Sequence, residues 1–145
     1  MKRQFLVALD SSERADYVFR YAVGLAESLG ASIHLLRVVA VPPDFPPAAY
    51  ISRPDELRGY LLRQAEEHLQ EFAKKVPHLS VETIVHEAMQ PWRAIVDVAD
   101  RIGAELVVIG SHGYQGLDYL LGTNAARVAD MARCNVVIVH ERRRP

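Results

Sequence analysis

Five short apolar runs recur along this chain, and stretches of helical periodicity separate each from the next. That alternation leaves few folds open. "FLVALD" (5–10) is continuously apolar until its last residue, as a strand buried on both faces reads. "SIHLLRVVA" (32–40), "LSVETIVH" (79–86), "ELVVIG" (105–110) and "NVVIVH" (135–140) supply four more strands. After the first, Ser11-Ser12-Glu13 offers an N-cap, and Ala15, Val18, Phe19, Ala22, Leu25, Ala26 and Leu29 fall at helical spacing up to Gly30. A second helix over 54–76 lines up Leu57, Leu61, Ala65, Leu69 and Phe72. Pro91 opens a third, with Ile95, Val98, Ala99 and Ile102 before Gly103, and "TNAARVADMAR" forms the fourth. A βαβαβαβαβ order of this kind makes an α/β, doubly wound parallel sheet, because right-handed crossovers cover both faces with helices. The 145 residues carry no repeat and no linker, so a single domain over 1–145 is expected.

Composition narrows the function classes. A formal net charge of −1 gives no field that would draw nucleic acid or an anionic membrane. No run approaches the ~20 apolar residues of a membrane span, and the N-terminal apolar run is too short for a signal peptide. The one cysteine, Cys134, fits a reducing compartment and reads as a small buried hydrophobe. A cytoplasmic location follows as the expectation.

The chemistry concentrates in "VVIGSHGYQGLDYLLGTNAARV" (107–128), directly behind the fourth strand. In doubly wound sheets ligands bind beyond the carboxyl ends of the strands, where the strand order reverses. Gly110 and Gly113 lack the Cβ that would hold a phosphate or ribose off the backbone. Gly122-Thr123-Asn124 stands where a helix begins, so free N–H groups and the helix dipole face any anion there. One glycine would suffice merely to turn the chain. Neither G-x-x-x-x-G-K-[ST] nor a G-x-G-x-x-G behind the first strand is present, which argues against a P-loop ATPase and a dehydrogenase. Ser111-His112 is not a nucleophile–base pair, because neighbouring side chains point apart and no third group is implied. The six histidines show no metal-ligand spacing. Trp92 reads as a partly buried anchor.

"VALDSS", "LLRVV", "ELVVIGSHG" and "LLGTNAARVADMARCNVVIVH" together resemble the universal stress protein family, in order and over essentially the whole chain. The nucleotide-binding members carry Gly, two residues, Gly, nine residues, then Gly and Ser or Thr. Here the motif reads Gly110, Gly113 and Gly122-Thr123, with eight residues in the last gap. Met89 stands where the family often has glycine. The resemblance implies a Rossmann-like sheet of order 3-2-1-4-5 and ATP as ligand, with Mg²⁺ held mainly by the phosphates. It implies that Ala8 and Asp10 line the adenosine side, that Val38 meets adenine through its backbone and that Ile109 and Gly110 lie near the ribose. Gly113, Gly122, Thr123 and Asn124 would receive the phosphates. As a carboxylate near a helix start, Asp10 also suits a capping role.

The expected function is therefore an ATP-binding stress-response regulator that signals its nucleotide state to unknown protein partners. A nucleotide-free partner-binding protein and a slow ATPase using His112 are the alternatives. In the order 3-2-1-4-5 the last strand lies at an edge. Val136, Val137, Ile138 and Val139 carry none of the proline, lysine or bulge that blunts such edges, so a homodimer paired through this strand is expected.

Overall fold

The computed structural model describes residues 2–40, 54–111 and 122–141. The elements run β1 (Arg3–Ala8), α1 (Ala15–Leu29), β2 (Ala31–Val39), α2 (Pro54–Lys74), β3 (Val81–Glu87), α3 (Pro91–Ile102), β4 (Leu106–Gly110), α4 (Thr123–Met131) and β5 (Asn135–Val139). All five strands join one parallel sheet of order β3-β2-β1-β4-β5, the Rossmann-like arrangement expected.

Strict alternation within the central strands builds two cores. Phe5 and Val7 of β1, Ile33 and Leu35 of β2 and Val108 of β4 face α1 and α2, where Phe19 and Phe72 meet with ring centroids 4.8 Å apart. Leu6, Leu36, Val107 and Ile109 point the other way, onto Ile95, Val98 and Ala99 of α3 and Val128 of α4. Side chains that alternate yet are apolar on both sides explain why these strands read as unbroken hydrophobic runs. The edge strands are less buried, with Val136, Val137 and Ile138 half-covered and Val139 buried.

Helix ends follow local chemistry. Gly30 and Gly103 close α1 and α3 in the left-handed conformation, each at φ 66°, where a side chain would be strained. Two expectations shift. Leu29, placed on the buried stripe of α1, is 45% exposed, because the helix ends there and the stripe turns away from the sheet. The expected cap at 11–13 lies just ahead of the helix proper: α1 starts at Ala15 with Arg14 at its N-cap position, and Ser12 supplies the turn before it. Among the described residues no helix is long and apolar enough to cross a membrane.

Candidate functional site

Strands β2 and β3 lie on one side of β1, and β4 and β5 on the other, so the chain crossings diverge between β1 and β4. A crevice is forced open at the carboxyl ends there. It holds a cavity of about 360 Å³. Leu36 and Val38 of β2, Ile95 of α3 and Ile109 of β4 give it an apolar floor, and Ala8, Leu9 and Asp10 close the β1 side. Arg14, Ala15 and Val18 enter from α1, Pro91 from the start of α3, and Gly122, Thr123, Asn124 and Ala125 from the start of α4. A flat apolar ring fits such a floor, and its polar substituents would meet the rim.

The β1 side is acidic and internally tied. Asp10 Oδ1 accepts from the Ser12 N–H at 2.9 Å and from the Ser12 hydroxyl at 2.6 Å. Ser12 Oγ in turn accepts from the Arg14 N–H at 3.2 Å. Behind Asp10 on the α2 side, Arg37 is bonded through Nη1 to His68 Nδ1 at 3.0 Å. Burial lowers the Arg37 pKa, and the Asp10 charge partly offsets this. His68 also falls below its ordinary range, first because it is buried and then because Arg37 is beside it. The bond requires His68 to be neutral at Nδ1.

The α4 side is built the opposite way. Gly122, at the N-cap position, has no side chain to cap the helix; its N–H donates to the Ser111 carbonyl at 3.0 Å. The N–H groups of Thr123, Asn124 and Ala125 have no intrahelical acceptor, and these three residues line that end of the cavity. Asn124 Oδ1 accepts from the Trp92 N–H at 3.0 Å, which ties α4 to α3. The Arg93 and Arg127 guanidinium carbons lie 5.6 and 5.9 Å from the Trp92 ring centroid. Trp92 is half-buried and packs on the α3–α4 core, as an anchor does.

Ala8, Asp10, Val38, Ile109, Gly110, Gly122, Thr123 and Asn124 thus line one cavity, although they come from four separate elements and their loops. Gly113 and His112 lie outside the described residues. Two local readings change. A Cβ on Gly110 would stand 3.1 Å from Val18 Cγ2, so this glycine admits α1 against β4 rather than only clearing a ligand. Asn124 has its carbonyl oxygen engaged by Trp92 and retains its amide NH₂. Arg14 is the residue that sequence reasoning passed over. It sits among ordinary surface charges at a helix start, and only the fold carries it to the cavity. Cys134 is half-buried, and burial raises its thiol pKa, which leaves it a poor nucleophile. Among the described residues no group of three His, Cys, Asp or Glu side chains could hold a metal ion.

Comparison with known proteins agrees with this architecture. Residues 1–140 match the model of the universal stress protein family. A curated relative, universal stress protein A homolog 1 of Coxiella burnetii, is 28% identical over 94% of this chain and 95% of its own length. The universal stress protein UspA from Lactobacillus plantarum superposes with a TM-score of 0.81 at 25% identity, covering 95% of this chain and 97% of that one. A universal stress protein solved in complex with cAMP matches at TM-score 0.65 and 25% identity, covering 96% of this chain and 97% of that one.

Proposed function

The chain belongs to the universal stress protein family, and from that premise we propose that it is a cytoplasmic ATP-binding regulator whose loaded and empty forms are read by partner proteins. The observation that carries this reading is the cavity between β1 and β4, with an apolar floor, a carboxylate on one side and an uncapped helix start on the other. Adenine lies on the β2 side against the Val38 backbone, with Ala8 beside it. Asp10 accepts a ribose hydroxyl through the oxygen that Ser12 leaves open, and Ile109 and Gly110 flank the sugar. The phosphates take the N–H groups at the start of α4, with Gly113 of the preceding loop, and bring Mg²⁺ with them. The relative in complex with cAMP supports an adenine nucleotide as the ligand class. Asp10, the one carboxylate on the cavity wall among the described residues, sits at the sugar end and is bonded to Ser12, so turnover should fall well below the ~10 s⁻¹ typical of enzymes. Sustained hydrolysis near that rate, lost on His112→Ala, overturns a purely regulatory role.

The test is the content of the protein as purified. Denaturation followed by anion-exchange chromatography and mass spectrometry of the supernatant should release adenine nucleotide at near-stoichiometric level. An empty protein that also fails to gain thermal stability from added ATP overturns the reading.

The same module forms a homodimer through β5, whose outer edge meets no other strand among the described residues. Antiparallel pairing with a second copy would satisfy that edge and cover Val137. Val137→Pro removes a ladder donor and should shift the protein towards monomer or aggregate. A wild type sedimenting as a 16.2 kDa monomer at tens of micromolar contradicts this.

A further inference from the structure

Arg14 is the one cationic side chain on the cavity wall among the described residues. Its backbone is held, because its N–H donates to Ser12 Oγ at 3.2 Å, while its side chain is 40% exposed. Arg14 Nε lies 3.6 Å from Oε2 of Glu141, and both side chains are about half exposed. Glu141 stands two residues beyond the end of β5. The strand order puts β4 between β1 and β5. A side chain rooted in the β1–α1 turn that pairs with a residue after β5 therefore passes over the carboxyl end of β4. Gly110 and the start of α4 lie there, on the far side of the cavity from Val38. Arg14 thus belongs to the end of the cavity with open helix N–H groups.

An exposed, loosely spaced ion pair is a weak interaction that salt readily screens. A guanidinium on a phosphate makes two parallel charge-assisted bonds, and an ammonium cannot reproduce that fork. Glu141, close to the same end, also repels an incoming polyanion. We propose that Arg14 is the cation of the phosphate end, and that it reaches bound polyphosphate by leaving Glu141, so that the loading of the cavity is felt at the end of β5. This rests on the adenine-nucleotide reading above and adds to it a sensor of phosphate number at the edge strand.

Calorimetric titration of the full chain, freed of endogenous nucleotide, with adenosine, AMP and ATP tests the proposal. Arg14→Gln should weaken ATP about tenfold and leave adenosine within about twofold, its unchanged adenosine affinity reporting an intact cavity. Arg14→Lys should recover part of the loss. Glu141→Gln should tighten ATP about two- to threefold by removing the competitor. Amide exchange at residues 139–141 should change with ATP and stay constant with adenosine. Equal losses for adenosine and ATP in both Arg14 variants, unchanged ATP affinity in Arg14→Gln, or weaker ATP binding in Glu141→Gln each overturn the exchange. A wild type that binds neither adenosine nor ATP overturns the underlying reading instead, before any variant is considered.

Discussion

Two helices begin at the rim of one cavity, and they begin differently. At α1, Asp10 and Ser12 satisfy one another and the Arg14 N–H, so the helix start is occupied by groups of the chain itself. At α4, Gly122 offers no side chain, and the first three helical N–H groups have no acceptor among the described residues. An anion is repelled by the Asp10 carboxylate before the first start and attracted at the second, and a hydroxyl donor finds the reverse. In the proposed reading the contrast gives a bound nucleotide its direction: sugar towards β1, phosphate towards α4. Two like helix starts would bind charge at both ends or at neither.

The largest expected effect comes from making the two starts alike. Gly122→Asp places an α1-like carboxylate at the start of α4, where φ −61° and ψ 153° suit any residue. ATP affinity should fall by about 100-fold, since like charges brought together cost several kcal/mol. Stability without ligand should stay within ~0.5 kcal/mol, because glycine is already an acceptable cap. Calorimetry and thermal melting of the same sample check both halves, and undiminished ATP binding would remove the assigned direction.

A smaller effect should follow at the other start. Asp10→Asn keeps an acceptor for Ser12 while removing the charge, and it should weaken adenosine and ATP alike by about tenfold. Asp10→Ala should in addition lower the stability of the free protein by about 1 kcal/mol, read by urea denaturation, because the α1 turn loses its partner. Losses confined to ATP in Asp10→Asn would place the carboxylate at the phosphate end.

The smallest effect is one of pH and sharpens the surroundings of Asp10. His68 has a folded pKa below 6.5. Between that lower value and 6.5 the unfolded chain binds the proton and the folded one does not. The stabilisation is therefore complete above 6.5 and is lost as pH falls towards the folded value. The wild-type melting temperature should drop more than that of His68→Gln between pH 7.5 and 5.5, since glutamine can still accept from Arg37. Parallel curves would mean that folding leaves the titration of His68 unshifted.

The sequence was most legible where physics is local. Runs such as Phe5–Val7 and Val107–Ile109 are apolar on both faces, and Gly30 and Gly103 mark left-handed ends, so strands, helices and their order could be read directly. Ala8, Val38 and Ile109 were named through the family resemblance, and the fold brings all three to the crevice at the strand ends. What escaped depends on residues far apart in the chain. Arg14 reaches the cavity and Glu141 only once β5 is laid beside β4. The Trp92–Asn124 bond joins residues 32 apart, and nothing local to either residue announces it. The approach of Val18 to Gly110 is likewise a matter of how α1 seats on the sheet.

The segment between Ser111 and Gly122 is bracketed at its base: Gly122 donates to the Ser111 carbonyl, and the Ser111 N–H donates to the Val139 carbonyl at 2.9 Å. The position of α4 is therefore fixed by β4 and β5, independently of how much chain passes between the two brackets. Adding an eleventh residue to the ten at 112–121 would raise the closure entropy by less than about 0.1 kcal/mol. A gap of eight rather than nine residues after Gly113 leaves the anion-facing helix where it is. The cost of changing the length of this span is therefore small beside the contacts that seat the strands and α4 beneath it.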